Sequence, residues 1–190
     1  MRPISSWSSR SRRAETEYQR IQRWDVPQAA VAPMLEGLLL AGRRGCEGGA
    51  LWLGTRADGA VVKTVVLPHG KGVIERPGFW QLSTEVYGQV GTWAAEKGQV
   101  LLALVHSHRG PKDVWLSPTD QFATVHVIDF LSIVVGGYGR VADPNRWGYH
   151  IFNGKAFERL DDGIVANRVR WTDDEIAVVH ADSDNLQVMS

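Results

Sequence analysis

The run Gln99-Val100-Leu101-Leu102-Ala103-Leu104-Val105 constrains this chain more than any other. After its first residue every position is aliphatic, so it offers no polar face to water. A strand of that kind must be covered on both sides. It leads directly into His106-Ser107-His108. Side chains at i and i+2 on a strand share a face. If the strand continues through the motif, both imidazoles therefore point the same way. After eight intervening residues comes Ser117-Pro118-Thr119-Asp120. Two imidazoles and a carboxylate are the three protein ligands expected of an open catalytic zinc site.

Around this strand the pattern is α/β. Pro27 to about Arg44 is predicted helical, because Val31, Met34, Leu35, Leu38 and Leu39 recur at helical spacing and Gly42 and Gly45 fit its end. Leu51–Arg56 and Ala60–Leu67 are predicted strands joined by Asp58-Gly59, a hairpin signal. Pro68 to Gly78 reads as a loop with Val73 and Ile74 exposed, followed by a helix from about Phe79 to Lys97 that stops near Gly98. A short helix is expected from Ser117, and a buried strand over Ile128–Gly136. Trp147–Phe152 and Ala156–Leu160 form a predicted hairpin turning at Asn153-Gly154, with a further strand near Ile164–Trp171. This order implies a mixed sheet flanked by helices.

With 190 residues the chain suits one well-buried core. Its 21 basic and 21 acidic side chains create no global field, so neither a nucleic acid nor a membrane surface is expected as a partner. Cys46 is the one cysteine, which excludes an internal disulfide and a cysteine-based structural zinc site. No apolar stretch approaches bilayer length and no secretory signal follows the N-terminal arginines, so a soluble cytoplasmic protein is expected. Three regions are anticipated. Residues 1–26 form an arginine- and serine-rich arm, its first dozen disordered and the part around Tyr18, Ile21 and Trp24 helical. Residues 27–171 form the domain. Residues 172–190 form an acidic tail carrying Asp173, Asp174, Glu175, Asp182 and Asp184.

Simpler readings exist for each half of the motif. Ser-x-x-Asp before a helix is a capping box, with Pro118 at the first helical position. Two alternating histidines also describe a strand with a polar end. His69, His126, His150 and His180 have no ligand-like spacing and read as structural or exposed. A water-activating hydrolase needs one more group, a carboxylate that takes the proton of the attacking water and passes it to the leaving amine. Glu47, in Glu47-Gly48-Gly49-Ala50-Leu51-Trp52-Leu53-Gly54, is placed between the first helix and the first strand and is the candidate.

These residues together resemble the JAMM metalloprotease family, also called MPN+ or the JAB domain. Its pattern is a glutamate near the first strand, then His-x-His, then Ser-x-x-Asp. The likeness spans about residues 27–160 and includes Ser132-Ile133-Val134-Val135 and Trp147-Gly148-Tyr149-His150. Glu36 is a rival for the glutamate, but it falls within the predicted helix and lacks a glycine seven positions on. The resemblance implies a single JAB/MPN (cytidine-deaminase-like) domain. It implies that His106, His108 and Asp120 hold one catalytic Zn2+, that Glu47 is general base and then general acid, and that Ser117 stabilises the oxyanion. It also implies a deubiquitinase-like isopeptidase whose partner is a ubiquitin-like protein or its conjugate, alongside modifier-activating and modifier-conjugating enzymes. Alternatives on the same scaffold are a processing peptidase for a ubiquitin-like or sulfur-carrier precursor, a non-catalytic MPN scaffold, and a DNA-associated RadC-like branch. Two departures from the family pattern stand out. Eight residues rather than seven separate His108 from Ser117, and Arg109 replaces the proline that often follows the second histidine.

Overall fold

The computed structural model describes residues 20–57 and 59–189. The elements run β1 (Trp24–Pro27), a 3-10 turn (Gln28–Ala30), α1 (Val31–Arg43), β2 (Gly49–Arg56), β3 (Ala60–Pro68), β4 (Val73–Arg76), β5 (Phe79–Leu82), α2 (Thr84–Glu96), β6 (Val100–Ser107), α3 (Pro118–Ala123), β7 (Leu131–Val135), β8 (Gly148–Phe152), β9 (Phe157–Arg159), α4 (Asp162–Arg168), β10 (Val169–Thr172), β11 (Ala177–Ala181) and β12 (Leu186–Met189). One mixed sheet carries the order β10-β1-β3-β2-β6-β7-β8-β9, and β11 joins it by pairing with β3. The small β4–β5 hairpin stands apart.

The aliphatic run becomes β6, between antiparallel β2 and parallel β7. Both faces of this central region are covered, as the run required. On β2, Ala50 and Trp52 join the core built with Met34 and Leu38 of α1. Leu51 and Leu53 join the core built with Val86 and Val90 of α2 and Trp80 of β5. Leu104 of β6 belongs to the α2-side core. The two-residue period of a strand therefore puts His106 on that same side.

Several expectations are corrected. Ile21 and Trp24 are not helical; Trp24–Pro27 is a strand running parallel to both β3 and β10. Four residues are too few to show a period. Tyr18 and the first dozen residues fall outside the described part of the chain. Phe79–Leu82 is a strand and Val73–Arg76 its partner, where a helix and a loop were expected. Trp80 and Leu82 are buried in alternation, and the helix waits for Ser83, whose hydroxyl accepts from the Val86 amide. Asp161 likewise caps a helix over Asp162–Arg168, so the strand predicted from Ile164 shrinks to Val169–Thr172. The acidic tail is not a tail throughout. Ala177–Ala181 runs parallel to the second half of β3, with Val179 and Ala181 buried. The β2–β3 hairpin forms as predicted, although Asp58 at its turn lies outside the described residues. Among the described residues no helix is long and apolar enough to cross a membrane.

Candidate metal centre

β2 and β6 are antiparallel with Gly49 opposite His106. Continuing that register by two residues sets Glu47 beside His108. Ser107 fastens the junction: its hydroxyl accepts from the Gly48 amide at 3.1 Å and its own amide donates to the Gly48 carbonyl at 3.0 Å. From the other flank, the His108 amide donates to the Val135 carbonyl, and the His108 carbonyl accepts from the Tyr138 amide at 2.7 Å. His106, His108 and Glu47 are all buried.

α3 brings the carboxylate. The capping box predicted from sequence is present, with the Ser117 hydroxyl accepting from the Asp120 amide and Asp120 Oδ2 accepting from the Ser117 amide at 2.7 Å. The same Oδ2 lies 3.2 Å from His108 Nε2 and 3.6 Å from His106 Nε2, and the two Nε2 atoms are 3.1 Å apart. A tetrahedral ion with bonds of about 2.0–2.2 Å spaces its ligands roughly 3.3 Å apart. The three atoms therefore fit one metal ion, and the helix cap aims the carboxylate at it. The capping box is therefore compatible with a place for Asp120 in the metal cluster.

The charges are shaped by this crowding. Burial alone would push the Asp120 carboxyl up, but hydrogen bonds with His106 and His108 more than offset it and hold it well below the usual carboxylate range. Burial depresses His106, against the pull of Asp120. It also opposes charge on His108, yet Asp120, Glu47 and Asp113 together raise that imidazole to about 9. A bound cation would displace these protons. Burial lifts the Glu47 carboxyl from 4.5 to about 7; His108 pulls it down, and Asp120 and Asp113 add to the rise. A carboxyl poised near neutrality is suited to moving protons.

Beside the cluster is a cavity of about 20 Å³, lined in part by Trp80, Tyr87, Leu104, His106, Asp120 and Thr124. That is room for about one water. Gly49 makes its Trp80 wall possible, since a Cβ there would sit 2.6 Å from the indole.

No protein-family model matches the chain. The probable metalloprotease y4jG of Sinorhizobium fredii (strain NBRC 101917 / NGR234) is 30% identical over 118 residues, which are 60% of this chain and 72% of that protein. The chain belongs to the JAMM/MPN metalloprotease family. The solution structure of protein DSY2949 from Desulfitobacterium hafniense overlays with a TM-score of 0.59 at 15% identity, covering 80% of this chain and 94% of that one, a likeness of fold. The crystal structure of AF2198, a JAB1/MPN domain protein from Archaeoglobus fulgidus, overlays with a TM-score of 0.45 at 15% identity, covering 78% and 96%, too loosely to argue from.

Within this JAMM/MPN chain the structure also brings forward residues the sequence did not single out. Asp113 Oδ1 lies 3.3 Å from His108 Nδ1, at ion-pair distance though not aligned as a hydrogen bond. Carboxylates in that position orient metal-binding histidines. Asp113 belongs to the loop with the extra residue, where its amide donates to the Gly110 carbonyl. The loop is pinned farther on, because Gly148 leaves space for the Val114 carbonyl that a Cβ would meet at 1.8 Å. Trp115 projects outward, 60% exposed, beneath the Arg159 guanidinium. Glu36, the rival glutamate, lies instead in α1 on the wall of a separate groove.

Proposed function

We propose that this chain is a zinc-dependent isopeptidase or peptidase that hydrolyses the bond after the C-terminal tail of a ubiquitin-like modifier. The observation that carries the reading is the buried Glu47 carboxyl set beside the convergent His106, His108 and Asp120. Those three residues would hold the ion; a bound zinc supplies Lewis acidity that lowers the pKa of water and polarises the scissile carbonyl. Glu47 takes the proton of the attacking water and delivers it to the leaving amine. The Ser117 hydroxyl, which uses a lone pair to cap α3, keeps its proton free to donate to the oxyanion.

Two features support a slender, extended substrate. The cavity at the metal cluster is water-sized, so glycines suit the approach better than side chains do. The β4–β5 hairpin lies alongside, and the Arg76 carbonyl at the end of β4 accepts from the Glu47 amide. A tail added as a strand along this hairpin would have its backbone groups satisfied. Modifier-activating and modifier-conjugating enzymes are the natural partners of such an activity. Trimming of a modifier or sulfur-carrier precursor would use the same residues on a linear bond. A purely scaffolding role is disfavoured by the complete ligand set and the raised Glu47.

The test is cleavage of a ubiquitin-like modifier fused through a Gly-Gly tail to a reporter. Glu47→Gln is expected to lower the rate about 10²–10⁴-fold. Chelation should abolish cleavage and zinc should restore it. Undiminished activity in Glu47→Gln, or indifference to chelation, would sink the mechanism.

A further inference from the structure

We infer that His69 and His180 form a second transition-metal site, distinct from His106, His108 and Asp120, which takes a divalent ion of the zinc, nickel or copper class through two imidazoles. Spacing along the chain does not suggest it. The two residues meet because β11 runs parallel to β3, with His180 opposite Leu67 and Ala181 opposite Pro68. The His69 amide then donates to the Ala181 carbonyl at 2.9 Å, extending the pairing by one step.

The ring separation and tilt are close to those of the first pair. The His69 and His180 ring centroids are 5.1 Å apart with planes inclined at 55°. For His106 and His108 the values are 5.0 Å and 62°. Two imidazoles on one tetrahedral zinc, with bonds of about 2.0–2.1 Å, place their centroids roughly 5 Å apart. Imidazole also suits nickel and copper.

The surroundings favour a cation. Both rings border a groove of about 520 Å³ between α1, β3 and β11, open enough for water to complete a coordination shell. From α1, Glu36 acts on His180; in the turn after β11, the amides of Asp184 and Asn185, and then His69, hold the Asp182 carboxyl down. Of the nearby basic groups, Lys71 is paired with Asp184 at 3.1 Å, and Arg44, which lines the same groove, is paired with Glu75. Burial, then the neighbouring His69, holds the His180 imidazole below its ordinary value against Glu36, which leaves its lone pair available at neutral pH. The two carboxylates contribute field rather than bonds. This site is therefore weaker than the first, and its ion would clamp β11 onto β3.

The experiment uses the full chain without a polyhistidine tag, stripped of metal and titrated calorimetrically with Zn2+ alone. Two classes of site are expected, of different affinity. His69→Ala and His180→Ala should each weaken the lower-affinity class at least tenfold and leave the tighter class intact. His106→Ala should do the reverse. His69 is exposed, so its variant keeps the test valid if His180→Ala fails to fold. Saturating zinc should raise the melting midpoint of the wild type above its value at one equivalent, and should not do so in His69→Ala. A single class in the wild type, or two unchanged classes in His69→Ala, would overturn the site. Neither outcome depends on peptidase activity.

Discussion

The protein holds two histidine pairs with nearly the same ring separation in opposite settings. His106 lies in β6 and His108 just past its end; both are buried and face a carboxylate fixed by a helix cap. His69, just past β3, and His180, in β11, open onto a groove and have carboxylates only at a distance. The matching ring distances show that pairing two imidazoles is easy for a sheet. What separates the two settings is everything else: burial of both imidazoles, a carboxylate fixed beside them, and the Glu47 carboxyl alongside. Charge in a buried site acts through a lower dielectric, so each added group counts for more there.

Three changes sharpen or break that contrast. The largest effect is expected from Asp120→Ala, which reduces the first centre to two imidazoles. Its zinc affinity should fall by well over ~100-fold, the upper end for loss of a mere outer partner, and approach that of His69–His180 in a competition titration. An undiminished gap would mean that burial alone distinguishes the pairs. Next is the pH dependence of the metal-free chain. Glu47 titrates near 7 when folded and near 4.5 when not. Between these values the unfolded chain ionises first, so the Glu47 contribution to stability should fall as pH rises through the window and level off above it. His108, raised from 6.5 to about 9, adds a separate loss that continues to higher pH. The Glu47 loss is about 3 kcal/mol, and Glu47→Gln should lack it in denaturant melts at pH 4.5 and 7.5. A parallel slope in the variant would place the titration elsewhere. The smallest effect is Asp113→Asn, expected to weaken zinc at the first centre about 10–100-fold and to leave the second unchanged. Equal weakening at both would show that Asp113 acts through general stability.

Much of the first centre could be read from the chain because its geometry is local. His-x-His on an aliphatic strand is already a shared face, and Ser-x-x-Asp already a capped helix. Glu47 is different. Its place beside His108 depends on the antiparallel register of β2 and β6, which no local pattern encodes; only its position between the first helix and the first strand, and then the family resemblance, pointed to it. Asp113 was hidden in a loop whose path is decided by Gly148 and the GGYG turn, residues 136–139. The mixed sheet and its flanking helices were legible, and its margins were not. β1 and β11 are short strands set among arginines and aspartates, whose burial comes from their places along β3 rather than from their own hydrophobicity. The β4–β5 hairpin was lost because aromatic residues before a helix cap look like more helix.

Tyr138 adopts a left-handed backbone, with φ of 56°, and donates its amide to His108. Its Cβ and carbonyl press on Gly42 of α1 so closely that a methyl there would meet them at 2.5 and 2.9 Å. A helix that contributes no reacting group thus shares a mechanical joint with the second imidazole. Random mutagenesis screened for lost activity should therefore recover folded, inactive variants at Gly42, where a map drawn from the reacting residues alone would have predicted silence.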